Sequence, residues 1–145
     1  MDPKVIIYTD GACSGNPGKG GWAALLIHND NKKEISGYSE LTTNNKMELQ
    51  AVIESLKKLK RKCDVELYTD SVYVKDGITK WIHNWKKNNW KNSKKEEVKN
   101  KELWTELDKL TELHKIEWKW VKGHEDDIMN NRVDELARQQ IINNK

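Results

Sequence analysis

Two apolar runs of this chain end alike. Ile7-Tyr8-Thr9-Asp10-Gly11 and Leu67-Tyr68-Thr69-Asp70-Ser71 each run through β-forming residues to a terminal aspartate. Both read as strands, and α/β sheets place ligand sites at the C-terminal edges of their strands. If the two are parallel neighbours, about 4.8 Å apart, Asp10 and Asp70 face each other closely. The intervening pattern supports that arrangement. A glycine-dense turn over residues 15–21 leads into strands at 22–28 and 33–41, with Asn29-Asp30-Asn31 as the hairpin turn between them. Thr42-Thr43-Asn44-Asn45 supplies N-cap chemistry for a helix to about residue 60, in which Met47, Ala51, Val52, Leu56 and Leu59 keep helical spacing. Further helices are expected over 71–88, 101–114 and 130–142, strands over 65–69 and 116–121, and a loop over 123–129. Three hairpin-joined strands followed by alternating strand and helix indicate an α/β layered domain with a mixed sheet.

Two more acids fall into line with the strand-end pair. Glu48 precedes Val52, Leu56 and Leu59 at helical spacing, at the edge of the face that packs on the sheet, and Asp134 stands in the same way to Ala137 and Ile141. Each carboxylate alone suits a cap, a turn or an edge charge. Together they conflict, because two like charges 5 Å apart repel by roughly 3 kcal/mol at an effective dielectric of about 20. A fold keeps such a cluster when a proton or a cation occupies it. Oxygen donors without His or Cys favour Mg²⁺ or Mn²⁺ over zinc.

The net charge of +3 conceals an uneven distribution. Between Lys80 and Lys101, eight lysines face only Glu96 and Glu97, and Trp81, Trp85 and Trp90 fall in the same stretch. Lysines interleaved with aromatic rings suit a nucleic-acid backbone, and they equally suit a solvated amphipathic helix with its rings buried. At 145 residues the chain has the length of one domain, 1–145, with the basic protrusion at about 80–101. Its aromatics and apolar runs exclude disorder, and no stretch approaches the roughly 20 apolar residues of a membrane span. Met1-Asp2-Pro3-Lys4 leads into a strand with no signal-peptide pattern. Cys13 and Cys63 stand far apart with no metal-binding spacing, so the expected setting is a reducing cytoplasm. A monomer with no obligate protein partner and no membrane is the default. His28 and His114 read as surface residues. A flavodoxin-like regulatory domain would explain the paired strand-end aspartates, but not the basic stretch or residues 42–48.

Tyr8-Thr9-Asp10-Gly11-Ala12-Cys13-Ser14-Gly15-Asn16-Pro17-Gly18, Thr42-Thr43-Asn44-Asn45-Lys46-Met47-Glu48-Leu49, Thr69-Asp70-Ser71, Trp120-Val121-Lys122-Gly123-His124 and Asp134-Glu135-Leu136-Ala137 follow one another in that order. In these stretches the chain resembles type-1 ribonuclease H. The resemblance implies a ribonuclease H-like three-layer α/β fold with a five-stranded mixed sheet flanked by helices. It also implies an endonuclease that hydrolyses the RNA strand of RNA–DNA hybrids and leaves 5′-phosphate and 3′-hydroxyl ends. On the resemblance, Asp10, Glu48, Asp70 and Asp134 hold two Mg²⁺ ions about 3.5–4 Å apart, with Mn²⁺ as a substitute, and His124 moves protons or helps expel product. The backbone of Gly11 to Cys13, with Asn16, Asn44 and Asn45, contacts ribose hydroxyls. Thr43 anchors a DNA phosphate, and Trp81, Trp85, Lys86, Lys87, Trp90 and Lys91 hold the DNA strand. Two departures stand out: Val72, where the family commonly has glutamine, and the acidic run Glu125-Asp126-Asp127 after His124.

Overall fold

The computed structural model describes residues 3–121 and 128–144. β1 (Lys4–Ser14), β2 (Gly18–His28) and β3 (Asn31–Thr42) form an antiparallel meander. β4 (Asp64–Thr69) and β5 (Lys115–Trp120) add to its β1 edge in parallel. The result is a five-stranded mixed sheet in the order β3-β2-β1-β4-β5.

The alternation of side chains along the strands feeds two cores. On one face Val5, Ile7, Ala24, Leu26, Val65 and Leu67 pack under α1 (Asn44–Lys57) and α4 (Lys101–Leu113), where Trp104 and Leu107 are fully buried. On the other, Ala23 and Leu25 meet Val133 and Ala137 of α5 (Ile128–Asn143). The expected α/β class with a five-stranded mixed sheet and flanking helices is the fold observed.

Several boundaries differ from expectation, for steric reasons. Residues 18–21 belong to β2, not to the turn, and β1 continues through Gly11 to Ser14, so only Gly15-Asn16-Pro17 connects the two strands. Gly20 and Gly21 serve close approach. A Cβ at Gly20 would lie 2.8 Å from the Met47 side chain, and one at Gly21 would run into the Ala137 carbonyl of α5. The single helix expected over 71–88 is three pieces: α2 (Val72–Asp76), a π-helical turn (Gly77–Trp81) and α3 (Ile82–Lys87). The turn widens where Gly77 backs onto the Trp104 ring, into which a Cβ would project. α1 ends at Lys57, short of the expected 60, and α5 begins two residues early, at Ile128.

His114 is not a surface residue. It is buried at the end of α4, and its Nδ1 accepts the backbone N–H of Cys63 at 3.1 Å, just before β4. That acceptor role requires the neutral ring, and burial lowers the His114 pKa from its ordinary value. The unfolded chain therefore binds this proton first as pH falls below about 6.5. The stability contributed by the neutral ring is complete above that pH and is lost towards the lower folded value. Chemical-denaturation midpoints measured from pH 7.5 down to 5 should accordingly fall more steeply for the native protein than for His114→Asn, whose side-chain oxygen accepts without titrating. Parallel curves would show that His114 does not govern acid sensitivity.

Candidate active site

β1 and β4 pair in parallel up to Tyr8↔Tyr68, whose rings stack at 4.5 Å. Two residues further along each chain stand Asp10 and Asp70. α1 brings in Glu48 by packing directly on Gly11, where a Cβ would lie 2.5 Å from the Glu48 nitrogen. Only glycine permits that approach. One oxygen from each of Asp10, Glu48 and Asp70 falls within 4.8 Å of the others, and Asp10 and Glu48 are each only 6% exposed. Asp134 on α5 reaches the same cleft, about 430 Å³ in volume, and hydrogen-bonds Asp10. All four predicted carboxylates thus converge.

The electrostatics follow from the geometry. Burial pushes the Asp10 carboxyl far above its ordinary range, and the charges of Glu48 and Asp70 push further. Glu48 is raised by burial and then by Asp70, against hydrogen bonds involving Asp10, the Gly11 backbone and Ser71 that lower it. Asp70 is raised by burial, while its own backbone and the Asn130 side chain favour its charged form. Glu48 Oε1 is buried and receives no hydrogen bond. A buried, unpaired carboxylate oxygen facing two more carboxylates is a costly arrangement unless positive charge is added. The donor set, all hard oxygens, fits a small divalent cation.

The predicted substrate contacts divide. Gly11, Asn44 and Asn45 line the carboxylate cleft, with Val72 exposed at its rim. Asn16 accepts the Asn44 backbone N–H, and Thr43 caps α1 by accepting the Lys46 N–H, both at 3.2 Å. These two side chains therefore already hold the start of α1. The Cys13 thiol donates to the Gly15 carbonyl. In the protrusion, Trp81, Trp85 and Trp90 form a chain of ring contacts at 5.8 and 6.2 Å, with Trp85 and Trp90 packed against the core and Trp81 the more open of the three. Lys86 turns back to Asp108 and Glu112 of α4 at 3.3 and 3.6 Å, whereas Lys87 and Lys91 form no ion pair among the described residues. His124 and the acidic run 125–127 lie outside the described residues.

Two participants escaped the sequence reading. Asn130, one turn before Asp134 on the same helix, is buried and hydrogen-bonds Asp70. Its i, i+4 relation to Asp134 was the available signal. Tyr73 lines the cleft and accepts from Trp104 Nε1 and Asn100 Nδ2 at 2.9 and 3.1 Å, and its ring meets Trp81 at 5.9 Å. It joins the carboxylate cleft to the protrusion.

A sheet of this order, with an acidic cleft at the adjoining ends of its two central parallel strands, defines the ribonuclease H-like class of α/β folds. The chain belongs to the RNase H family, whose sequence model matches residues 2–142. It is 61% identical over 139 residues to a ribonuclease H of Wolbachia pipientis wMel, covering 96% of both chains, and 62% identical to one of Ehrlichia chaffeensis, covering 96% and 95%. Among solved structures it is similar to LC9-RNase H1, described as a type 1 RNase H with the type 2 active-site motif. That match has 30% identity and a TM-score of 0.88 over all of this chain and 75% of that one. LC11-RNase H1, solved in complex with an RNA/DNA hybrid, matches at 25% identity with a TM-score of 0.74, over 97% and 98% of the two chains.

The carboxylate cluster makes a stability prediction whose sign follows from the raised pKa values. In the folded, metal-free protein Asp10 keeps a proton that the unfolded chain releases above about pH 4, so stability falls as pH rises from there towards the higher folded value. Asp10→Asn removes that loss. In EDTA at pH 8 the variant should melt above the native protein, and the gap should narrow at pH 5. A lower melting temperature for the variant at pH 8 would contradict this electrostatic account.

Proposed function

We propose that this chain is an endoribonuclease that hydrolyses the RNA strand of RNA–DNA hybrids, using Mg²⁺ (two ions, with Mn²⁺ as a substitute) and leaving 5′-phosphate and 3′-hydroxyl ends. The observation that carries the reading is the buried, unpaired Glu48 oxygen beside Asp10 and Asp70, which calls for a cation at the C-terminal strand edge of a ribonuclease H fold. The hybrid complex solved for a relative supports the substrate class.

Asp10, Glu48, Asp70 and Asp134 would hold the ions. Bound there, divalent ions supply a water nucleophile at neutral pH and neutralise charge on the leaving oxygen. The chain's own part is placement. Asn130 and the Asp70 backbone favour the charged form of Asp70, and Gly11 N–H and the Ser71 hydroxyl favour that of Glu48, in both cases against the larger effect of burial. Gly11, Asn44 and Asn45, at the rim of the cleft, offer hydrogen-bonding groups to ribose 2′-hydroxyls, the feature that separates RNA from DNA. Val72 offers none. The protrusion would hold the DNA strand by phosphate and ring contacts, and His124 would assist proton movement at the exit of product. No helix of the described residues is long and apolar enough to cross a membrane, and a cytoplasmic monomer acting on hybrids is the setting that suits this chemistry.

A labelled hybrid incubated with Mg²⁺, beside the same sequence as duplex DNA and duplex RNA, tests the reading. Only the RNA of the hybrid should be cut, and Asp70→Asn should abolish cutting while hybrid binding persists. Equal cutting of duplex DNA, or full activity of the variant, would refute it.

The ion pairs of the protrusion favour Lys87 and Lys91 over Lys86 as the phosphate contacts of this reading. Each neutralised phosphate contributes about 0.7–0.9 to the log–log salt slope of binding. Replacing Lys87 and Lys91 together by alanine should therefore flatten the slope by up to about 1.4–1.8 units. Lys86→Ala should leave it nearly unchanged, since that ammonium is engaged by Asp108 and Glu112. The reverse ranking would show that Lys86 leaves α4 to meet the substrate.

A further inference from the structure

The three carboxylates whose oxygens gather within 4.8 Å are Asp10, Glu48 and Asp70. Asp134 lies beside them and hydrogen-bonds Asp10, yet its Oδ2 points to Arg138, one turn further along α5, at 2.6 Å. The helix backbone cannot adjust to serve both partners. The Ala137 carbonyl lies directly on Gly21 of β2, Val133 and Ala137 are fully buried, and Arg132 ties the start of the helix to Glu34 of β3 by two hydrogen bonds at 2.7 and 3.1 Å. With the helix so held, Asp134 exchanges the guanidinium for the cleft by side-chain rotation alone.

An exposed i, i+4 ion pair usually adds little to stability, and here both side chains are well exposed, 64% for Arg138 and 41% for Asp134. Its partner makes this pair matter, because Asp134 also lines the acidic cleft and hydrogen-bonds Asp10, beside a buried Glu48 oxygen that has no partner of its own. Among the described residues, Arg138 is the only cation paired with any of the four carboxylates. We propose that Arg138 is a positioning residue that restrains Asp134 and sets the divalent-ion concentration at which the fourth carboxylate joins the cleft. The guanidinium acts twice in the same direction. It occupies an oxygen that a cation would otherwise use, and it places a positive charge near that cation. It also relieves carboxylate repulsion in the ion-free protein, so the restraint steadies the resting fold while opposing occupancy.

This inference rests on the metal-dependent reading above, and its test separates the two. Mg²⁺ is titrated into the full-length protein without substrate, followed by calorimetry and by the amide NMR shifts of Gly11 and Asp70. Arg138→Ala should bind Mg²⁺ about three- to tenfold more tightly than the native protein at low salt, the scale expected for removing one unit charge near a divalent ion. Arg138→Lys retains the charge and should stay within about twofold of native. In an Asp134→Asn background the gain from Arg138→Ala should shrink, as a coupled pair requires. The Mg²⁺ concentration giving half-maximal hybrid cleavage should fall in parallel for Arg138→Ala, with KM for the hybrid unchanged at saturating Mg²⁺. Unchanged or weaker Mg²⁺ binding by Arg138→Ala, while the native protein binds, overturns the restraint and leaves the metal-dependent reading standing. A raised KM with native Mg²⁺ affinity also overturns it, making Arg138 a substrate contact. No Mg²⁺ binding by the native protein overturns both.

Discussion

The parallel pairing of β1 with β4 is the constraint on which the working end of this molecule depends. Antiparallel neighbours would send Asp10 and Asp70 to opposite edges of the sheet. Parallel pairing in the register Tyr8↔Tyr68 carries them to the same edge, and burial of Val5, Ile7, Val65 and Leu67 under α1 holds that register by the alternation of side chains. A slip of one residue would turn the apolar set out of the core. The core thus fixes the position of the carboxylates, although none of them contributes to it.

The same packing makes the cleft electrostatically unfavourable when no cation neutralises it. α1 brings Glu48 in because Gly11 lets the helix settle on β1, and α5 brings Asp134 in because Gly21 lets it settle on β2. The first approach puts Glu48 where water cannot screen it, and the second adds the more open Asp134 beside it. Local rules of stability are broken here, and a site of this kind is where a folded protein tolerates such a breach. Ser71, Asn130 and Arg138 act as partial remedies: Ser71 donates to the buried Glu48, Asn130 to the half-buried Asp70, and Arg138 supplies charge from the rim.

Much of this was legible in the sequence. Asp70 just past the end of β4, the N-cap before Glu48 and the helical spacing of Asp134 follow from patterns within a few neighbouring residues, whereas β1 runs on past Asp10 to Ser14 because β2 pairs with it there. What was not legible depended on partners remote in sequence. Gly20 and Gly21 suggested a turn, and the contacts that make them strand residues lie on α1 and α5. Lys86 looked like every other lysine of its stretch until α4 placed Asp108 and Glu112 against it. His114 read as polar and exposed, since its backbone partner lies 51 residues earlier. The π turn had no local signature beyond one glycine, and its cause is the Trp104 ring.

That turn has a consequence for how the protrusion is aimed. An α-helix advances about 100° per residue, so the single extra residue accommodated over Gly77–Trp81 sets the azimuth of everything that follows it. Deleting one residue there would restore ordinary helical phase and swing Trp81 and Trp85 about 100° around the axis, away from Tyr73 and Trp104. The basic arm is thus indexed to the sheet by one step of a ratchet. A chain exchanging this arm for another would have to carry the wide turn with it to keep the arm in the same orientation to the cleft.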